Sequence, residues 1–197
     1  MPAGRQVSKP GRLVLKQPES GGVVKKENLA LTGVERFFAD NEIIVSKTDL
    51  KGRITYANDV FLRISGYREE EILGQPHSII RHPHMPRCVY ALLWQAIATG
   101  REIFAYVVNR SSNGDHYWVL ANVTPTFDAS GRVRGYHSNR RRPREEAVTA
   151  AAALYRRLCA EEESEQNRKT GMARGSAMLN AILEQQGMDY DRFVLSL

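Results

Sequence analysis

Five short strand-like runs, each bounded by turn-forming residues, occupy the middle of this chain and constrain its fold more than any other feature. Ile43-Ile44-Val45-Ser46-Lys47-Thr48 is rich in β-branched residues, and Arg53-Ile54-Thr55-Tyr56-Ala57 alternates at period two. Asp49-Leu50-Lys51-Gly52 between them has turn chemistry, so the three together predict a β-hairpin. Further turns at Ser111-Ser112-Asn113-Gly114 and over 128–131 separate strands predicted for 103–110, 115–127 and 132–141, the last ended by Pro143. Short helices fall between the two strand groups. Asn58 suits the cap of a helix over 59–64, Gly74 and Pro76 stop a turn over 69–73, and Pro86 and Gly100 bracket a longer helix over 87–99. Two strands, several short helices and three strands, with hairpins at both ends, predict an antiparallel α+β domain of about 100 residues and not a doubly wound parallel sheet.

The flanks differ in kind. Residues 1–30 are rich in Gly, Pro, Lys and Ser with only short apolar patches such as Leu13-Val14-Leu15, the composition of a disordered basic arm. Over 31–41, Thr32 is placed to cap a short helix with Val34, Phe37 and Phe38 on one face. The β-rich domain is bounded at 42–143. Residues 144–197 form a helical segment, with Val148, Ala151, Tyr155 and Leu158 as one apolar stripe and Met172, Leu179, Ile182 and Leu183 as a second. Amphipathic helices of this length need a partner surface on the β domain, on each other or on another chain.

The net charge of +6 comes from that arm and from Arg132, Arg134, Arg140, Arg141, Arg142 and Arg144. Solvated tails and strand ends account for such runs, and no helix-turn-helix pattern accompanies them, so nucleic acid is not an expected partner. Cys88 and Cys159 form no CxxC pair, and no apolar run reaches the roughly 18 residues of a membrane helix. A cytoplasmic protein that does not itself insert into a membrane is expected.

The chemistry concentrates in Arg81-His82-Pro83-His84-Met85-Pro86, and in Asn113-Gly114-Asp115-His116-Tyr117-Trp118-Val119. His77, His82, His84 and Cys88 match no common zinc framework. Imidazoles that hydrogen-bond neighbouring backbone are one reading; the other sets Arg81 and His82 at the mouth of a ligand cleft, where a guanidinium fork suits phosphate or carboxylate. Asn109 and Asn122 lie in predicted strands, where Asn is depleted. An amide on an inner sheet face needs partners that a heteroatom-rich ring supplies, whereas an outward amide needs none. No nucleophile elbow, P-loop, HExxH or dinucleotide-binding glycine pattern is present, so an enzyme is not expected.

Thr48-Asp49-Leu50-Lys51-Gly52-Arg53-Ile54-Thr55-Tyr56-Ala57-Asn58, Ser65-Gly66-Tyr67, Glu71-Ile72-Leu73-Gly74 and the two dense stretches resemble, in this order, a PAS domain. Arg81-His82-Pro83, Met85-Pro86 and Trp94 narrow the resemblance to the flavin-binding PAS domains of bacterial aerotaxis receptors and similar energy-taxis sensors. It covers residues 42–142. It implies a five-stranded antiparallel sheet with short helices on one face, a non-covalently held FAD as redox sensor, and signalling to a chemoreceptor. Carried over by position, Asn58, Arg81, His82, Trp94 and Asn109 are ligand-side residues, and Asn122 joins them from the strand argument. His84 replaces an acidic residue of the family, and Ile103-Phe104 stands where many members have tryptophan. The family's membrane anchor and methyl-accepting domain are absent, which implies a separate adaptor that docks through its C-terminal helices; a homodimer is compatible with this. A heme sensor ligated by His77, His82 or His84, and a cofactor-free interaction module with Trp94, Phe104 and Tyr106 filling the pocket, are the alternatives.

Overall fold

A computed structural model of the protein describes residues 30–197, so the basic arm expected over 1–30 lies, but for Ala30, outside the described residues. The strands are β1 (Ile44–Asp49), β2 (Ile54–Ala57), β3 (Ile103–Arg110), β4 (His116–Phe127) and β5 (Val133–Arg141). Their order in the sheet is β2-β1-β5-β4-β3, with every neighbouring pair antiparallel. The helices are α1 (Asp59–Ser65), α2 (Glu69–Ile72), α3 (Arg87–Ala98), α4 (Glu145–Glu163), α5 (Arg168–Gln186) and α6 (Tyr190–Ser196), with a 3-10 turn at His77–Ile80. The expected α+β architecture is present, and the C-terminal segment contains three helices where two apolar stripes were visible.

Side-chain chemistry sets the turns. Asp49 Oδ1 accepts from the amides of Lys51 and Arg53 at 2.9 and 2.8 Å, which fixes the β1–β2 register. Asp128 does the same for β4–β5 by accepting from the Ser130 and Arg132 amides at 2.9 and 3.0 Å. In the β3–β4 turn Gly114 has φ +95, a left-handed conformation that a side chain resists, and a Cβ there would also collide with the carbonyl oxygen of Ala30.

One face of the sheet carries the core. Ile103, Ala105, Val107, Val119, Ala121 and Val123 point there by alternation and meet Phe61, Ile72, Ile80, Val89, Leu93 and Ile97 from the helices. The valine, leucine, isoleucine and phenylalanine side chains among them each contribute about 1.5–3 kcal/mol by burial, so packing rather than helix propensity holds α1 and α2, which have only 7 and 4 residues. The sheet edges are closed by the chain itself. At β3, the Phe104 amide donates to Asp191 of α6 at 2.9 Å, the Tyr155 hydroxyl of α4 donates to the Tyr106 carbonyl at 2.6 Å, and Arg81 bridges to Asn109. At β2, residues 74–77 exchange backbone hydrogen bonds with Gly52 and Ile54.

Residues 31–41 are not helical. The chain there is extended, with Glu35 in a parallel bridge to His116; the His116 amide donates to the Val34 carbonyl and the Arg36 amide to the His116 carbonyl, at 2.9 and 2.7 Å. The Thr32 hydroxyl expected to cap a helix donates instead to Asp115 at 2.6 Å, and Arg36 Nε donates to the other carboxylate oxygen at 2.8 Å. A helix this short has little stability of its own, and of its expected apolar face only Phe38 is buried, Val34 and Phe37 being 56% and 61% exposed, so little apolar burial offsets the tertiary hydrogen bonds.

Hydrogen bonds from Thr32, Asn113 and Arg36 hold the Asp115 carboxyl down at about 2. Its contribution is therefore complete above the ordinary carboxyl range near 3.8 and is lost as pH falls through about 2. The Thr32 and Arg36 amide NMR signals are expected to keep their docked positions from pH 7 to 4 in the wild type. In Asp115→Ala they shift towards random-coil values at pH 7; unchanged signals in the variant would remove this clasp from the account.

Candidate functional site

The core-bearing face of the sheet is not uniformly apolar. Ser46 on β1, Ser138 and Arg140 on β5 and Asn109 on β3 sit on it, all buried, at 1%, 7%, 3% and 1% exposure. Pairing explains their convergence: Ser46 is opposite Ser138, Ala121 is opposite Arg140, and Val123 is opposite Ser138. They line a cavity of about 480 Å³ between the sheet and α3, within the size range of small-molecule sites. Val107, Ala121, Val123, Leu93 and Ile97 supply its apolar walls. Trp94, 38% exposed, stands at its rim, edge-on to Tyr136 at 5.6 Å and against Gly52, where a Cβ would lie 2.8 Å from the indole.

Arg140 is the electrostatic centre. Its Nη2 donates to Ser46 Oγ at 2.8 Å and to His77 Nε2 at 2.6 Å, and the guanidinium lies 5.4 Å from the Phe61 ring centre. No carboxylate pairs with it among the described salt bridges. A guanidinium only donates, so His77 Nε2 must be the acceptor and the imidazole is neutral. Burial, reinforced by Arg140, pushes the His77 pKa down to about 3. Burial also lowers Arg140, to about 10, so it stays cationic at neutral pH. Three buried polar atoms on this cavity have no partner among the described residues: Asn109 Nδ2, Ser138 Oγ and Arg140 Nη1. Buried polar groups are rarely left orphaned, and two donors and a hydroxyl facing one space describe a site for a ligand with an acceptor-rich edge.

The structure brings together Arg81, Trp94 and Asn109 of the expected residues and adds Arg140, His77, Ser46, Ser138 and Tyr136. Arg81 lies over the Tyr90 ring at 4.2 Å and donates to the Met85 carbonyl at 3.3 Å. Asn58, His82 and Asn122 are not on the cavity, and each has a local task. Asn58 caps α1, its Oδ1 accepting from the Phe61 and Val45 amides at 3.0 and 2.9 Å and its Nδ2 donating to Ile43. His82 is buried with Nδ1 accepting from the His84 amide at 3.2 Å, its ring packed near those of His84 and His116. Burial, with His84, His116 and Arg110 nearby, lowers its pKa to about 4. Asn122 alternates with the cavity-facing Ala121 and Val123, so it points outward and donates to Glu102 at 3.0 Å.

Arg140 was detectable by alternation. Tyr136, Ser138 and Arg140 share one face of β5, and His137, Asn139 and Arg141 the other. The run Arg140-Arg141-Arg142 hides this, because three adjacent arginines read as a solvated strand end. Among the described residues, no group of three or more His, Cys, Asp or Glu is placed to hold a metal. No helix among them is long and apolar enough to cross a membrane.

A family model described as the PAS fold matches residues 54–139, the span that holds most of the cavity walls. Residues 54–139 form a PAS domain. Over 122 residues it is 42% identical to the aerotaxis receptor of Escherichia coli, covering 62% of this chain and 24% of that receptor. It is 29% identical over 94 residues to the nitrogen fixation regulatory protein of Klebsiella pneumoniae, covering 48% of this chain and 19% of that protein. The chain thus spans about a quarter or less of the length of these relatives. The dark structure of the blue-light photoreceptor Aureochrome1 LOV superposes with a TM-score of 0.52 at 22% identity, covering 56% of this chain and 82% of that one, which shows a shared fold.

His77 supplies a pH test of this geometry. Its folded pKa lies below the ordinary value, so protonation favours the unfolded chain; its contribution is intact above about 6.5 and erodes as pH falls towards 3. At pH 5 the erosion amounts to about 2 kcal/mol. Urea unfolding at pH 7.5 and pH 5 is expected to show wild type losing about 2 kcal/mol more than His77→Gln, whose amide oxygen still accepts from Arg140. Equal losses would place a charged imidazole in the fold.

Proposed function

We propose that the cavity holds a flavin, with FAD the form implied by the sequence resemblance, and that the protein is a redox- or oxygen-responsive sensor in aerotaxis or energy taxis. The carrying observation is the set of unpartnered buried atoms, Asn109 Nδ2, Ser138 Oγ and Arg140 Nη1, on a cavity otherwise walled by aliphatic side chains. The pyrimidine edge of an isoalloxazine ring offers carbonyl oxygens and one N–H, which two donors and one hydroxyl match. The similarity to the Escherichia coli aerotaxis receptor supports the same assignment. A bound flavin supplies a ring whose charge and protonation change on reduction.

The chain's own groups would receive that change as follows. Asn109 and Ser138 orient the ring by hydrogen bonds. Arg140, fixed by Ser46 and by neutral His77, presents a cation that favours whichever redox state is more negative at its edge. Val107, Ala121, Val123 and Ile97 exclude water and so strengthen those interactions. Arg81 and Lys51, both lining the cavity, add positive charge to hold an anionic tail. The signal passes to a chemoreceptor or another cytoplasmic signalling protein through the C-terminal helices, as a monomer or homodimer.

The two alternatives find less support. Of the histidines that could ligate a heme, His82 and His84 do not line the cavity, and His77 Nε2 already accepts from a guanidinium. A cofactor-free module needs its pocket filled, yet Phe104 and Tyr106 alternate onto the opposite face from Val107 and Asn109, and neither lines the cavity.

The purified protein is expected to be yellow, or to become so with FAD, and to bleach with dithionite. Asn109→Ala is expected to weaken flavin binding at least tenfold, the effect of losing about 1.4 kcal/mol, at nearly unchanged Tm. His82→Gln leaves binding within a factor of two. A colourless protein that FAD, FMN and riboflavin all fail to reconstitute would overturn the reading.

A further inference from the structure

Away from the cavity's polar centre, the C-terminal helices are joined to the cavity wall through one buried carboxylate. Glu162 of α4 is 3% exposed. Its Oε2 accepts from the Arg87 amide at 3.0 Å and from Arg87 Nε at 2.8 Å; its Oε1 accepts from the Cys88 amide at 2.7 Å. Its own carbonyl accepts from Arg87 Nη2 at 2.9 Å. The two amides belong to the first turn of α3, whose cap position is Pro86, with no side-chain hydrogen bond. A residue about 75 positions downstream thus does what a local Ser or Asp does at other helix starts.

Two glycines of α5 allow this packing. A Cβ at Gly171 would fall on the Glu162 carbonyl oxygen, and one at Gly175 would lie 2.8 Å from Glu162 Cγ and 3.3 Å from Cys88 Sγ. Between them, Met172 lines the cavity, while α3 lines it with Arg87, Tyr90, Leu93, Trp94 and Ile97. The helix that faces a ligand and the helices that leave the domain therefore meet at Glu162. A cap on α3 itself would steady that helix without any tie to α4. The cost of burying a charge is borne here by a bond that makes the order of α3 conditional on the hairpin.

Resting on the sensor reading above, we propose that Glu162 is a positioning residue that couples the cavity to the α4–α5 hairpin, so that a ligand held by α3 is reported as increased order in the hairpin. Coupling of this kind is reciprocal: the hairpin also steadies the α3 wall for the ligand.

The test is hydrogen exchange read by mass spectrometry on the full chain, with and without saturating FAD. In wild type, FAD is expected to slow exchange at least fivefold in peptides of both α3 and α5. In Glu162→Gln, FAD still binds and still protects the sheet around Asn109, but its effect on α5 falls below twofold. Equal protection of α5 in the two proteins, or none in FAD-loaded wild type, overturns the coupling. If wild type binds no flavin, the sensor reading fails and the ligand-free comparison decides. Glu162→Gln must then speed exchange in α3 and α5 together, about tenfold, with β4 and β5 unchanged; acceleration in one helix alone overturns the proposal. Should Glu162→Gln fail to fold, Arg87→Lys, which keeps charge but loses the guanidinium contacts to Glu162, is read by the same criteria.

Discussion

Arg140 enters the interior between Ser46 and His77 and meets no carboxylate there among the described residues. Its charge is balanced by two hydrogen bonds and the face of Phe61, while Nη1 has no partner. Removing a cation from water costs several kcal/mol even after relaxation, so such an arrangement persists only where the surroundings enforce it or a ligand completes it. Much of the site follows from this one placement. His77 has to be neutral in order to accept, Ser46 has to face inward from β1, and the cavity has to stay open beside a donor that no described residue satisfies. The 3-10 turn that carries His77 and the β1–β5 pairing that carries Ser46 and Arg140 are the scaffold of that charge.

Elements whose cause is local could be read from the sequence. The Asp49 and Asp128 turns write their hydrogen bonds into adjacent residues, and β3 spans the same residues, 103–110, in the alternation and in the structure. The start of α3 at Arg87 follows from Pro86. The differences have more than one cause. Thr32 looks like a cap until Asp115, 83 positions away, takes its hydroxyl. Asn58 looks like a ligand residue and also like a cap, and the backbone around it takes up its amide. His82 and Asn122 are of a chemical type that suits a ligand, but the imidazole nitrogen is used within its own loop and the strand's alternation turns the amide outward. Arg140 was missed for the converse reason, since its neighbours Arg141 and Arg142 made an inward residue look like part of a solvated run.

The C-terminal helices are part of the domain's construction. Tyr155 of α4 and Asp191 of α6 satisfy backbone groups of β3, Tyr155 stacks with Trp118 at 6.0 Å, and Glu162 completes α3. Sheet, cavity wall and helical extension therefore share hydrogen bonds that none of them supplies alone. A perturbation at the cavity meets a continuous set of packed and bonded groups on its way to the outer helices, which is the physical requirement for a domain that reports on its ligand.

Both margins of the sheet are occupied, β3 by α4, α6 and Arg81, and β2 by residues 74–77. A second polypeptide that extended either margin would first have to displace these contacts, which disfavours β-augmentation as a means of association. Recognition through side chains on the helices or on the sheet's outer face needs no such displacement. Such a contact can be made and released without rebuilding a strand ladder, and specificity then rests on surface residues that can change without disturbing the hydrogen-bonded frame beneath them.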